Sequence, residues 1–290
     1  MLQQLVNGLM LGSTYALVAI GYSLVFGLLK LVNLAHGEIF MLGGFLGLAL
    51  SVYLKLPLLV TILGAMLGAG ILGLVLELVC FRRVNHINFL APALSSIGFG
   101  IIAREAMVNL VGSEPKVFPA TVQLPDIHIG PVLVSSVQLL VLGAALFLMV
   151  GLTLLVNRTE LGRAMRTVAE DPSCGRLLGV NVTRVTMATF FISSALAGAA
   201  GILISLRIGG ISPFIGATVG LKGLAVMVIG GLGNINGAMV GGLLVGILEV
   251  LTSAYLGAVF ADVVPWGFLI AVLVFKPSGL FGANANTDRA

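Results

Sequence analysis

Charged residues are scarce in this sequence: Asp, Glu, Lys and Arg make up 9% of its 290 residues. Soluble domains carry roughly 25%. With so few charges the chain cannot cover its own surface with polar groups, so lipid must be the solvent for most of it. The hydrophobic share of 59% and the mean hydropathy of +1.15 agree. These values exclude a soluble globular domain and predict a polytopic membrane protein with room for about eight to ten spans of ~20 residues.

Cysteines and catalytic motifs are equally sparse. Cys80 and Cys174 are the two cysteines, and two reduced thiols at the cytoplasmic face are expected rather than a disulfide. His36, His86 and His128 lie in separate segments without metal-binding spacing, so no metal site is predicted. The sequence contains no HExxH, no G-x-S-x-G and no phosphate-binding loop with its lysine. We therefore expect neither an enzyme nor a chain that hydrolyses ATP by itself.

Apolar runs long enough to form helical spans follow one another along the chain. The amino-terminal residues lack the basic region and cleavage site of a signal peptide, so the first run is expected to be a span. Spans are predicted at residues 5–28, 33–53, 58–80, 89–110, 133–156, 185–206, 221–231, 238–256 and 263–275. The seventh is short and follows a predicted loop or broken helix at 213–220, so eight spans plus a re-entrant segment is the alternative to nine. The predicted fold is an all-α membrane bundle with short or broken helices, forming one domain over 1–290, with a polar, proline-containing external loop at 111–131.

The distribution of lysine and arginine predicts the orientation, because these residues favour the cytoplasmic side. One face of the bundle collects ten of them: Lys30, Arg82, Arg83, Arg158, Arg163, Arg166, Arg176, Arg184, Lys276 and Arg289. The other face collects four: Lys55, Lys116, Arg207 and Lys222. An external amino terminus and a cytoplasmic carboxy terminus are therefore expected. The net charge of +4 reflects this bias and does not indicate nucleic-acid binding.

Two segments in the two halves of the chain share a pattern. Residues 33–47 (NLAHGEIFMLGGFLG) and 233–246 (GNINGAMVGGLLVG) each combine an asparagine at a predicted helix start with a Gly-Gly step. Interrupted helices in both halves are typical of transporters built from inverted repeats, whose half-helices meet near the bilayer midplane. The pattern predicts such a repeat. The glycine-rich run at 230–234 (GGLGN) is expected to be either a gate or a tight turn.

The segment 157–184 is much more polar than its surroundings. Residues 160–169 carry apolar side chains at helical spacing on one side and arginines on the other, which predicts a short amphipathic helix. Asp171 and Pro172 predict the cap and first position of a second helix, and Gly179 its left-handed end. The segment is too polar to cross a bilayer. We predict a cytoplasmic helix–turn–helix hairpin that docks a soluble partner.

Polar and ionisable residues within the spans are functional candidates, because each is costly in lipid unless it is paired or hydrated. Glu38 either lines the substrate path, bonds a moving half-helix, or caps a helix start near the inner interface, where the helix dipole favours a carboxylate. The residues predicted to line the translocation path are Asn7, Thr14, Asn33, His36, Glu38 and Asn234.

Four further ionisable residues have structural interpretations. Arg104 and Glu105 either pair with other spans or mark the external mouth of a path. Glu249 is expected to face the interior of the bundle. Glu77 is expected to act structurally beside Arg82 near the membrane interface.

The chain resembles the permeases of bacterial high-affinity branched-chain amino acid ABC importers, specifically the first of their two paralogous permeases. The resemblance covers essentially the whole chain and rests on the segments LVNGLMLGSTYALVAIGYSLVFG, NLAHGEIFMLGG, AEDPSCGRLLGVNVTRV, GGLGNINGAMVGG and FKPSGLFG. It implies that the hairpin is a coupling helix seated in a groove of a cytoplasmic ATPase. The residues that match the coupling core are Ala169, Glu170, Asp171, Arg176, Leu177, Leu178 and Gly179.

The same resemblance implies the function and the partners. It implies alternating-access transport of branched-chain or related hydrophobic amino acids from the periplasm to the cytoplasm across the bacterial inner membrane. The implied partners are two ABC ATPases that carry ATP and Mg, a second paralogous permease, a periplasmic solute-binding protein and lipid, with no cofactor on this chain. Urea and amide importers share much of the pattern, so a permease for urea or short amides stays open. An ion-coupled secondary transporter with Glu38 or Glu249 as the coupling carboxylate is the other alternative.

Overall fold

Helices dominate the structure, a computed structural model that describes residues 1–84, 90–119, 127–129 and 132–282. His86 and Arg289 lie outside the described residues. The helices are α1 (Leu2–Leu29), α2 (His36–Val52), α3 (Leu58–Leu76, continued by a π-helical turn at Glu77–Arg82), α4 (Leu90–Val111), α5 (Ser136–Arg158), α6 (Glu160–Glu170), α7 (Pro172–Leu177), α8 (Val182–Ile208), α9 (Ile215–Gly230), α10 (Ile235–Tyr255), α11 (Ala258–Ala261) and α12 (Val264–Phe275).

The membrane bundle agrees with the predicted number of spans. Within the described part of the chain, seven helical segments are long and apolar enough to cross a bilayer, counting α11 and α12 as one, and α2 and α9 are shorter apolar helices. The prediction of a loop or broken helix at 213–220 was wrong for residues 215–220, because α9 begins at Ile215 and continues through them. Gly216 and Gly220 suggested a turn, but they lie within the helix, where their lack of side chains allows α2 to pack closely.

The two longest helices, α1 and α8, form the centre of the bundle and are buried along most of their length. Close contact between α1 and α10 depends on glycines of both helices. A Cβ atom added to Gly12 would lie 2.7 Å from the Cα atom of Leu243, and one added to Gly242 would lie 2.6 Å from the Cα atom of Ala16. In lipid the hydrophobic effect does not drive helices together. Helix packing therefore usually relies on small residues that let the backbones approach closely.

We expect Gly12→Ala to lower the free energy of unfolding by about 1–3 kcal/mol, because the added methyl group overpacks a backbone contact. Unfolding in mixed micelles titrated with a denaturing detergent measures the change. Gly143→Ala is the matched control, because a Cβ atom at this position of α5 has nothing within 4 Å in the described structure. The control should be neutral or slightly stabilising, since alanine is the better helix former. Equal destabilisation by both substitutions would contradict the close-packing explanation.

The two halves of the bundle repeat one arrangement. α1, with 28 residues, precedes the short α2, and α8, with 27 residues, precedes the short α9. α10 packs along α1 as α3 packs along α8, and α9 packs on α1 as α2 packs on α8. A repeat was predicted, but in the wrong register. Residues 233–246 form a turn and the start of the full-length α10, so the counterpart of α2 is α9.

Short strands occur in the connections. β1 (Lys116–Val117) pairs antiparallel with β4 (Gly210–Ile211), so the segment after α4 is tied to the connection between α8 and α9. β2 (Ile127–Ile129) and β3 (Val132–Val134) pair with each other. The predicted loop at 111–131 therefore contains brief strand segments between α4 and α5.

Candidate functional site

The amino-terminal turns of the two short helices lie side by side in the interior of the bundle. A Cβ atom on Gly220 would lie 2.7 Å from the Cα atom of Gly37, so the backbones of α9 and α2 touch there. α2 begins beside the middle of α1, because a Cβ atom on Gly21 would meet the ring of His36. Helix amino termini carry partial positive charge and free amides. Two of them are thus brought together at one place within the bundle.

Glu38 lies between these two helix ends and is 7% exposed. A Cβ atom on Gly216 would lie 2.6 Å from its Oε2 atom, so the carboxylate faces the first turn of α9. Its Oε1 atom is 3.9 Å from the nearest guanidinium nitrogen of Arg104 on α4. Oε2 has no hydrogen-bond partner among the described residues. The carboxylate is therefore held mainly by helix dipoles and a distant ion pair, which leaves it free to bind a cation or water.

His36 and Asn33 add further buried polar atoms to the same place. The His36 ring lies 4.5 Å from the Tyr22 ring, measured between centroids, and is fully buried. The Val18 carbonyl lies near the His36 ring. Within the described structure, however, neither ring nitrogen makes a hydrogen bond of ordinary length. Asn33 accepts from the Ala35 amide at 3.2 Å, while its own amide group has no partner in the described part of the chain. Each unsatisfied buried group costs about 1–3 kcal/mol, so this concentration is unusual for a purely structural core.

The other predicted path residues lie elsewhere. Asn7, at the end of α1 remote from the 157–184 hairpin, accepts from Gln138 at 3.3 Å and lines a cavity of about 670 Å³ with Arg207. The Thr14 hydroxyl donates to the Leu11 carbonyl at 2.7 Å within its own helix. Asn234 lies at the opposite end of the bundle and caps α10. The structure thus brings together Asn33, His36 and Glu38 but not Asn7, Thr14 and Asn234.

Arg104 and Glu105 occupy the outer surface of α4. Their side chains are 26% and 55% exposed, and the two groups are 3.5 Å apart. The pairing prediction holds for Arg104, which also faces Glu38. An exposed carboxylate within an apolar span is costly in lipid, so this face of α4 requires water or another protein against it.

An ion-pair network around Lys222 was missed by the sequence analysis. Lys222 was counted with the external face of the bundle, but its side chain is buried within α9 and is 7% exposed. Its Nζ atom is 2.8 Å from Glu249 Oε1 and 2.9 Å from Asp262 Oδ1, and the Tyr15 hydroxyl donates to Glu249 at 3.1 Å. The prediction that Glu249 faces the interior is confirmed. The sequence did contain a signal for the Lys222–Glu249 pair, because a lysine and a glutamate in neighbouring apolar spans are expected to pair.

The hairpin has the predicted helix–turn–helix form. Thr159 caps α6 by accepting from the Gly162 amide at 3.1 Å, and Asp171 caps α7 with Pro172 at its first position. Gly179 follows with the predicted left-handed backbone, φ 80°. The helix faces divide as expected: buried residues hold α6 on the bundle and exposed ones face away. The buried ones are Gly162, Met165 and Val168.

The tip of the hairpin presents an apolar pair. Leu177 and Leu178 are 87% and 75% exposed, on a segment that is otherwise polar. Exposed apolar side chains that lie together are typical of surfaces that bind another protein or a membrane. Near the membrane interface, Glu77 and Arg82 form the predicted structural pair, at 2.7 Å.

The Asp171 carboxylate accepts hydrogen bonds from two neighbouring residues in the turn between α6 and α7. The Ser173 amide donates to its Oδ1 atom at 2.6 Å and holds the pKa of the Asp171 carboxyl below its usual value. The stabilisation by this cap is therefore complete above the usual carboxyl pKa and is lost as the pH falls through the lowered value. The Cys174 thiol donates to Oδ2 at 3.3 Å, and this bond raises the pKa of the thiol. Cys174 thus stays protonated and unreactive at neutral pH.

Two solved structures share this fold. PsaBC from Streptococcus pneumoniae in complex with Fab matches with a TM-score of 0.52 and 11% identity, over 95% of this chain and 92% of that chain. A metal-chelate type ABC transporter in an inward-facing conformation matches with a TM-score of 0.50 and 17% identity, over 95% of this chain and 85% of that chain. At these identities the likeness concerns the fold alone. The bundle therefore has the same overall fold as these two proteins.

Sequence comparison gives the family. The chain belongs to the branched-chain amino acid transport system permease components, whose family model matches residues 4–273. It is 38% identical to the high-affinity branched-chain amino acid transport system permease protein BraD of Pseudomonas aeruginosa, over 97% of this chain and 95% of that protein. It is 36% identical to the protein LivH of Escherichia coli K12, described in the same words, with the same coverage. The chain is thus a multi-pass inner-membrane transport subunit rather than an enzyme.

Proposed function

We propose that this chain moves branched-chain, or related hydrophobic, amino acids from the periplasm to the cytoplasm by alternating access, as the permease subunit of an ATP-driven importer. The observation that carries this proposal is the match to branched-chain amino acid permeases along nearly the whole chain. The exposed hairpin supports an ATP-driven mechanism, because a secondary transporter has no need of a cytoplasmic docking element.

The hairpin couples the permease to two cytoplasmic ATPases, which bind ATP and Mg. Leu177 and Leu178 supply the apolar contact, and the charged residues around them supply orientation. Because a ligand with equal affinity for both states shifts no equilibrium, the ATPase must contact the hairpin differently in its open and closed forms. The residues assigned to this coupling surface are Ala169, Glu170, Asp171, Arg176, Leu177, Leu178 and Gly179.

The path for the cargo passes the junction of α2 and α9. The converging helix amino termini suit the carboxylate of an amino acid, and Glu38 suits its ammonium group. The unsatisfied groups of Asn33 and His36 support a role for this junction in holding water or cargo. Asn7, Thr14 and Asn234 extend the path toward the two ends of the bundle.

A second, paralogous permease covers the polar face of α4. The support is the 55% exposure of the Glu105 side chain within a span, since a charge at this depth needs a wet or protein-covered surface. The hairpin and the carboxy terminus face the cytoplasm, and the amino terminus faces the periplasm, where a solute-binding protein delivers the cargo. The excess of lysine and arginine at the hairpin end supports this orientation.

Transport by the purified complex tests the proposal. We expect vesicles that contain this permease, its partner permease and two ATPases to take up labelled leucine only when ATP is enclosed and the binding protein is outside. A proton or sodium gradient without ATP should drive no uptake. Uptake of urea or acetamide in place of leucine would move the assignment to an amide importer. Gradient-driven uptake without ATPases would replace the proposed mechanism with ion coupling.

A further inference from the structure

A small cavity lies between the coupling hairpin and the end of the bundle that carries it. Its volume is about 290 Å³, which is at the lower limit of sites for small molecules and suits a ligand of amino-acid size. Its walls come from the end of α1, from α5, α6 and α8, and from the turn between α9 and α10. The cavity therefore touches both the bundle and the inner side of the hairpin, whose outer tip carries Leu177 and Leu178.

Charges of both signs line this cavity. Lys30 and Arg166 contribute positive groups and Glu170 a negative one. Among the described residues neither Lys30 nor Glu170 forms an ion pair within 4.0 Å, whereas Arg166 donates to the Val156 carbonyl. Two cationic groups and one carboxylate around a small space match the two charges of a zwitterion.

The remaining wall is apolar apart from two buried hydroxyls, and that of Thr189 donates to the Val185 carbonyl at 2.8 Å. Ser23 is fully buried and lines the cavity, and its Oγ atom has no hydrogen-bond partner in the described structure. An unsatisfied hydroxyl of this kind is costly and is explained by a ligand that occupies the space. The apolar part of the wall includes Leu24, Leu28, Val156, Met165, Leu232 and Ile235. This surface suits an aliphatic side chain.

We infer that this cavity is a cytoplasmic binding site for a zwitterionic amino acid with an aliphatic side chain, the released product of transport, and that occupancy of the site slows the importer. Lys30 and Arg166 bind the carboxylate, Glu170 binds the ammonium group, and Ser23 donates to the carboxylate. Because Met165, Arg166 and Glu170 lie on α6, a bound ligand joins the hairpin to α1 and restrains its movement. A ligand that binds one state better shifts the equilibrium toward that state, so accumulated product reduces further uptake.

The site depends on the proposed transport function, so the test measures the two separately in the same vesicles. The complete importer is reconstituted with ATP enclosed, and binding protein and labelled leucine are added outside. Only complexes whose cytoplasmic side faces the lumen then work. The initial rate with an empty lumen measures transport. The fall in that rate when millimolar unlabelled leucine fills the lumen measures the site.

Lys30→Gln and Ser23→Ala are the informative variants. We expect both to transport at the normal initial rate with an empty lumen. The lumenal leucine concentration needed for half inhibition should rise by roughly tenfold in Lys30→Gln, because a charge-assisted contact is lost. Arg83→Gln, an exposed cytoplasmic residue outside the cavity, is the matched control and should keep normal inhibition. Lumenal 4-methylpentanoate, which lacks the ammonium group, should not inhibit.

Each result of this experiment tests either the cavity site or the transport function. Normal transport with no inhibition by lumenal leucine, or with equal inhibition in the control and both variants, overturns the site and leaves the proposed function intact. Inhibition by 4-methylpentanoate as strong as by leucine overturns zwitterion recognition. Absence of leucine transport by the unmodified complex contradicts the proposed function itself.

Discussion

Leu177→Asp and Leu178→Asp variants are expected to reach the membrane at normal levels and to lose ATP-driven leucine uptake by roughly tenfold to a hundredfold or more. Burying a leucine side chain contributes about 1.5–3 kcal/mol, and each 1.4 kcal/mol is a factor of about ten in affinity. An aspartate in the same place also has to be desolvated against the partner. Uptake into vesicles and co-purification of the ATPases measure the two consequences together.

The expected loss comes from docking and not from folding. Both side chains are largely exposed and no part of the described bundle depends on them. Leu177→Met and Leu178→Met are the conservative controls and should retain uptake, because methionine keeps the apolar contact. Gly179→Asp should also uncouple transport, since aspartate fits poorly at φ 80°. Normal uptake by the aspartate variants, with ATPases still bound, would remove the docking role of the hairpin.

Lys222→Met has the second large expected effect, a fall in the free energy of unfolding of roughly 3–5 kcal/mol. The substitution leaves Glu249 buried beside Tyr15 without its cation, and breaking a buried ion pair on one side is typically this costly. Asp262 contributes less to the loss, because its side chain is 78% exposed. Unfolding in mixed micelles, followed by helical signal, gives the measurement.

A double substitution distinguishes an unpaired charge from lost packing. Lys222→Met combined with Glu249→Met should recover much of the stability, because replacing both members of a buried pair by apolar residues is often neutral. Arg163→Met is the matched control, since its pair with Glu160 is exposed at 3.4 Å and such pairs contribute about 0–1 kcal/mol. A double variant no more stable than Lys222→Met would mean that packing, not charge, explains the loss.

Local patterns predicted the hairpin well. The cap at Asp171, the proline that follows it and the left-handed Gly179 are all properties of a few adjacent residues, and the structure has each of them. The spans were predicted for the same reason. An apolar run in lipid must satisfy its backbone hydrogen bonds within the segment, and a helix does this. The pairing of Glu77 with Arg82 is equally local.

The errors arose where the outcome depends on distant contacts. Lys222 was counted with the external face because the span that contains it was predicted to begin only at residue 221, after a loop or broken helix at 213–220. The glycines of that segment serve instead to let α9 approach α2, which no local pattern reveals. The repeat was found but aligned one element too late, since the Gly-Gly step of α10 marks its contact with α1 rather than a half-helix.

The sequence by itself determined that this is a helical membrane protein with a polar hairpin, because composition, apolar run length and capping residues act over a few helical turns. The family was indicated by the resemblance of particular segments, not by these physical patterns. Tertiary structure decided which polar groups meet: Glu38 with the start of α9, Lys222 with Glu249, and Ser23 with the cavity beneath the hairpin. The physical reason is that a charge or hydroxyl in lipid must find its partner on another helix, and the partner is fixed by glycine-dependent packing between segments far apart in the chain.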